Sequence, residues 1–199
     1  MNHFNELPAG YKTDYVIDAK DNKKIAVLLN LAAFALAGVA GLAVYLLRFK
    51  GFNYPKASDM QSIWKTEGFL LLFIVSMVIY MILHEIVHGI AYKIMTKEKL
   101  TFGLTWSCAY CGIPGSYVTK RCALISILAP LTVFSAVFLP LCFLTSSSVS
   151  FLFILLFAIH FGGCSGDMFG ALILLFRYKG KDVLMNDTGP KQTFFIREE

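Results

Sequence analysis

Residues 69–92 read FLLLFIVSMVIYMILHEIVHGIAY. Only Ser76 and Tyr80 interrupt the apolar character of the first fifteen positions, and the run carries on through and past His84, Glu85 and His88. The stretch exceeds the ~20 residues that cross a ~30 Å hydrocarbon core. In lipid the backbone must satisfy its own hydrogen bonds, so it reads as a membrane-spanning helix. Three further segments have the same character, roughly Ile25–Leu47, Cys122–Leu144 and Val149–Phe176. A buried helix of a soluble protein would explain one such run, but not four.

Composition agrees. Of the 199 residues 57% are hydrophobic and 16% charged, against roughly 45–50% and about 25% in a soluble domain. The expected fold class is an all-α membrane protein with four transmembrane helices, residues 1–199 forming a single polytopic membrane domain. Residues 1–24 and 178–199 are expected as cytoplasmic segments. The first apolar run spans 23 residues behind a mixed-charge lead, too long for a signal-peptide core, so it is expected to be retained.

The net charge of +5 has a membrane explanation. Fourteen of the 18 Lys and Arg lie in residues 1–24, 93–121 and 177–199, and four lie in residues 48–67. Basic residues mark the cytoplasmic side, so both termini are expected in the cytoplasm of a multi-pass cell-membrane protein. No basic stripe with interleaved aromatics is present, and nucleic acid is not expected as a partner. The expected partners are the lipid bilayer and a membrane protein or peptide substrate.

Within the 93–121 loop, Leu100–Ser107 alternates and is rich in β-formers. A Gly/Pro-rich turn and then Tyr117-Val118-Thr119 follow, which predicts a short β-hairpin at the cytoplasmic membrane face, between the second and third helices. The five cysteines are odd in number and form no disulfide framework. Cys108-x-x-Cys111 is half of a zinc-ribbon pattern with no second pair, and is expected in the hairpin turn.

Charge inside the bilayer is costly and therefore informative. Glu85 and Asp167 are the acids that fall well inside the apolar segments, and His84, His88 and His160 join them. All five lie in the second or fourth segment. His84-Glu85-Ile86-Val87-His88 is an HExxH pattern, which this composition produces by chance in about two chains per thousand. On a helix, positions i and i+4 share a face, so both imidazoles can hold one metal ion. Glu85, about 100° around from His84, can reach water at the metal without ligating. Gly89 removes a side chain beside the site and leaves room for another backbone.

A catalytic zinc usually has three protein ligands and an open position. Asp167 is the expected third. His84 lies nine residues before Lys93 and Asp167 ten before Arg177, which puts both at ~14–15 Å from the same boundary. Gly162-Gly163-Cys164-Ser165-Gly166 before it permits close helix approach or a local break. His160 is open to three roles, as a ligand, a supporting partner behind the ligands or a substrate-channel residue, and the supporting or structural role is preferred. Cys164 is an alternative thiolate ligand. Pro130 and Pro140 each remove a backbone donor from the third helix and permit a kink there.

These residues resemble a known group. A helix with HExxH, one intervening helix, then a glycine-rich segment with aspartate looks like the three-helix core of the site-2 proteases. More closely, HEIVHG with Ala129-Pro130-Leu131 and Gly166-Asp167 downstream resembles a family of small bacterial membrane proteins described as zincin peptidases. The resemblance covers roughly residues 69–177. It implies that His84, His88 and Asp167 bind Zn2+ and that Glu85 is the base. Site-2 proteases carry Leu-Asp-Gly where this chain has Gly166-Asp167-Met168, and there is no room for a PDZ domain.

The expected reaction is hydrolysis of a peptide bond by metal-activated water, with Glu85 accepting the proton. Two alternatives use the same ligands: a metal-dependent hydrolase or transferase acting on lipid or isoprenoid, and a non-enzymatic zinc-binding membrane protein. The last would have no need of Glu85.

Overall fold

Asn22 starts the first helix of the computed structural model, which describes residues 3–51, 66–105 and 109–198. Its Oδ1 accepts the amides of Lys24 and Ile25 at 3.1 and 3.2 Å, which caps α1 (Lys23–Phe49). Helix α1 ends where Lys50 and Gly51 take φ of 52° and 114° and the Gly51 N–H returns to the Leu46 carbonyl at 3.1 Å, a left-handed stop. The second helix, α2 (Thr66–Thr96), carries the quoted stretch. Lys93 closes it by donating to the carbonyls of Lys97 and Glu98 at 3.1 and 3.0 Å, a cation where the helix dipole is negative. Helix α3 (Lys120–Leu144) continues through both Pro130 and Pro140 without interruption.

The fourth apolar segment is not one straight span. It forms α4 (Ser147–Gly163) and α5 (Ser165–Leu172), followed by a π-helical turn, Ile173–Arg177. The two helices are separated at Cys164, where the glycine-rich sequence gives little resistance to a break. Among the described residues, three helices are long and apolar enough to cross a membrane, or four if the bent pair counts as one. Only 11% of the apolar windows of α1 and α2 is buried, against 33% for α3. The remaining apolar surface needs a non-aqueous surrounding.

The all-α expectation is corrected by two antiparallel sheets. The first has five strands in the order β1 (His3–Phe4), β5 (Tyr117–Thr119), β6 (Val183–Asp187), β7 (Lys191–Arg197), β2 (Tyr11–Asp18). Both terminal segments therefore belong to folded structure. The second sheet pairs β3 (Thr101–Leu104) with β4 (Ala109–Gly112), Phe102 facing Cys111. The hairpin exists, but Tyr117–Thr119 is not its second strand; it pairs with β1 and β6. Of the two cysteines expected in the turn, Cys111 lies instead on β4, and Cys108 lies outside the described residues, as do Trp106 and Ser107.

The chain divides into two compact units. One comprises residues 1–30, 82–130 and 166–199, the other 31–81 and 131–165. The first contains both sheets, and its core joins Tyr92, Ile113, Val118, Cys122, Ile127, Leu174, Met185 and Phe194. The strands thus bury one face on the ends of α2, α3 and the π turn. In the second unit α1 and α4 approach closely: a Cβ on Gly162 would stand 2.5 Å from the Ala33 carbonyl oxygen, and one on Gly41 2.9 Å from the Ala158 Cβ. Arg48 donates to the carbonyls of Cys142 and Thr145 at 3.0 and 3.1 Å, which satisfies the open C-terminus of α3.

Candidate metal centre

The 3.6-residue period of α2 puts His84 and His88 on one face, their rings 4.9 Å apart and edge-to-face. Helix α5 brings Asp167 to them. Its two carboxylate oxygens divide between the imidazoles, Oδ2 at 3.3 Å from His84 Nε2 and Oδ1 at 3.4 Å from His88 Nε2. One donor atom from each residue lies within 4.8 Å of the others. Both histidines are buried, and the Asp167 side chain is 17% exposed.

The chemistry of this donor set fits zinc. Donor atoms each about 2.1 Å from a shared tetrahedral ion stand about 3.4 Å from one another. The imidazole–carboxylate distances of 3.3 and 3.4 Å, each to a different oxygen, are close to that edge, and exceed the 2.7–2.9 Å of a good charge-assisted hydrogen bond. His88 Nδ1 lies 2.8 Å from the Ser126 carbonyl oxygen. A carbonyl only accepts, so Nδ1 carries a proton, which leaves Nε2, the nitrogen facing Asp167, as the one that would bind a metal.

A sequence model of the family described as "Putative zincin peptidase" matches residues 77–181. The chain belongs to that family. Membership points to a zinc-dependent peptidase, and the segment matched contains His84, Glu85, His88 and Asp167. No curated protein and no solved structure matches the chain.

Beside the three candidate ligands, Glu85 is half-buried and accepts a hydrogen bond from the backbone N–H of Cys111 on β4. The hairpin is seated by Gly89, where an added Cβ would meet Phe102 at 2.9 Å, Leu100 at 3.0 Å and Cys111 Sγ at 3.3 Å. Gly89 therefore makes room for the hairpin's side chains, where the sequence led us to expect a second backbone. Cys111 is buried, and burial, helped by the Glu85 and Asp187 carboxylates, pushes its thiol up to about 12. A group so held is a protonated thiol at neutral pH and a poor metal ligand.

His160 is fully buried in the other unit. Its Nδ1 lies 2.9 Å from the Tyr80 hydroxyl and its Nε2 3.0 Å from the Ser135 hydroxyl. Tyr80, Phe134, Phe138 and Phe157 surround the ring with centroids 5.6–6.1 Å away. Cys164 Sγ stands 3.7 Å from the same Nδ1. Tyr80 and Ser135 had one sequence signal, being polar residues in apolar helices. The Ser126 carbonyl and the Cys111 N–H had none, because any residue supplies them.

Proposed function

We propose that this zincin is a membrane-embedded zinc peptidase of site-2-protease type, with His84, His88 and Asp167 as ligands and Glu85 as the proton acceptor. The observation that carries the reading is the shared contact of both HExxH imidazoles with one carboxylate from another helix, at distances that suit a tetrahedral ion. When bound, zinc acts as a Lewis acid and lowers the pKa of water to about 7. Glu85 takes the proton as water attacks the substrate carbonyl and returns it to the leaving amine. Asp167 offsets the metal's charge in a low-dielectric setting. The Ser126 carbonyl holds the His88 ring in the required tautomer. The Cys111 N–H keeps the Glu85 carboxylate oriented.

A membrane protein or peptide is the proposed substrate. A peptide bond inside a regular helix is shielded, so the substrate must be locally extended. The hairpin of β3 and β4 is proposed to hold it as an added strand. In the proposed topology all four spans cross the cell membrane and both termini are cytoplasmic. Phe102 and Leu104, 51% and 76% exposed on the hairpin, favour its lying against the membrane face. His160 is proposed to act through structure: its cluster of hydroxyl and aromatic partners fixes α4 just before the break that presents Asp167.

The test is cleavage of a membrane-embedded reporter peptide by wild-type and Glu85→Gln protein, with zinc measured in both. Glu85→Gln should keep its zinc and lose cleavage by at least about a hundredfold, the scale of a general base. Unchanged cleavage in Glu85→Gln would overturn the assignment and favour a zinc-binding protein without catalysis.

A further inference from the structure

Asp187, the last residue of β6, is 4% exposed and is bound in three directions. Its Oδ2 accepts the Tyr92 hydroxyl at 2.7 Å, its Oδ1 accepts the Gly189 N–H at 2.8 Å, and its backbone carbonyl accepts the Ile113 N–H at 2.8 Å. Tyr92 lies one turn beyond His88 on the same face of α2 and is 1% exposed. The turn that follows is pressed against β4. A Cβ on Gly112 would stand 2.5 Å from both the Gly189 nitrogen and the Thr188 carbonyl carbon. Gly189, at φ 96°, faces the Tyr110 ring so closely that a Cβ there would overlap it. Between Tyr110 and Gly112 sits Cys111, whose N–H meets Glu85.

An Asp bonding the amide two residues on is an ordinary feature of turns. The reach of its second oxygen to the HExxH helix, and of its main chain to β4, is not. A buried carboxylate is also costly unless its partners repay the lost solvation, and a turn that served only to join two strands has no need of one. We propose that the Asp187–Gly189 turn is a clamp that holds β4 in place against the Glu85 carboxylate, with Asp187 as the positioning residue. This rests on the reading of Glu85 as proton acceptor. Asp187 and the turn lie beyond residues 77–181, the segment matched to the family.

The experiment uses the full chain in detergent and follows alkylation of Cys111 by N-ethylmaleimide with peptide mass mapping, alongside zinc content and reporter cleavage. In Asp187→Ala, Cys111 should react at least about tenfold faster, the change expected on losing hydrogen bonds to a charged group. Zinc should stay at the wild-type level and reporter kcat should fall. Asp187→Asn keeps an oxygen for Gly189 and an amide to pair with the Tyr92 oxygen, so it should restore protection and kcat. Gly189→Ala, which displaces the turn from the other side, should expose Cys111 as Asp187→Ala does. If Asp187→Ala does not fold, Tyr92→Phe removes a single bond of the clamp and should act in the same direction. Wild-type protection of Cys111 in Asp187→Ala, or in Tyr92→Phe where it replaces it, overturns the clamp. So does Asp187→Asn reacting as fast as Asp187→Ala, because lost charge alone would then explain the reactivity. Cleavage that persists in Glu85→Gln overturns the peptidase reading and leaves the Cys111 result standing.

Discussion

Asp167 divides its two oxygens between two imidazoles, so replacing it tests the site without changing its shape. Asp167→Asn is nearly isosteric, but a neutral amide is the weaker donor. We expect zinc affinity to fall by more than about tenfold, read by competition with a chromophoric chelator. Unchanged affinity would return Asp167 to a packing role. His160→Ala should behave in the opposite way. It removes the imidazole that meets the Tyr80 and Ser135 hydroxyls and opens a cavity among the surrounding aromatics, at about 2–5 kcal/mol. Stability in detergent should drop while zinc stays bound, and loss of zinc in this variant would move His160 into the metal site. At this scale the sequence was informative because a charged or imidazole side chain in an apolar helix has few reasons to exist other than chemistry. The Ser126 carbonyl and the Cys111 amide were not legible, since main-chain groups carry no residue identity.

Among the elements, the break at Cys164 and the α1–α4 contact both follow from the run Gly162–Gly166. Gly162→Ala puts a Cβ against the Ala33 carbonyl oxygen, a backbone atom that cannot turn away. A loss of about 1–3 kcal/mol is expected for such overpacking, measured by denaturant titration in micelles; an unaffected variant would mean that the helices slide apart freely. The strand β6 gives a pH prediction. Burial pushes the Asp187 carboxyl up to about 6, while the Tyr92 hydroxyl and the Gly189 N–H pull the other way, and His88 and Asp167 act on it at longer range. A raised acid favours its protonated form in the folded chain. Its stability contribution is therefore complete below the ordinary carboxyl value of 3.8 and is lost as pH rises through about 6. Asp187→Asn cannot ionise. The melting temperature of wild type relative to this variant should fall between about pH 4 and pH 7, and a constant difference would contradict the assignment. The helices were readable from their apolar runs, whereas the five-stranded sheet was not. Tyr11–Asp18 pairs with Lys191–Arg197 at the opposite end of the sequence, and such a pairing leaves no local signature. Tyr117–Thr119 follows the hairpin closely enough to look like its second strand, yet its partners are β1 and β6.

For the whole molecule, the uneven distribution of Lys and Arg predicts a definite orientation. Single cysteines placed at the exposed positions Asp21, Ser146 and Lys179 should be labelled from the outside by an impermeant maleimide only at 146. Labelling of 179 in intact cells would invert the topology. Reading the chain as a membrane zincin rests on one physical claim, that His84, His88 and Asp167 together hold a metal ion. Metal content of the full chain purified in detergent tests this most directly. The account predicts about one zinc ion per wild-type chain and close to none in the His84→Ala/His88→Ala double variant, at comparable folded yield. Wild-type zinc retained in the double variant would contradict it.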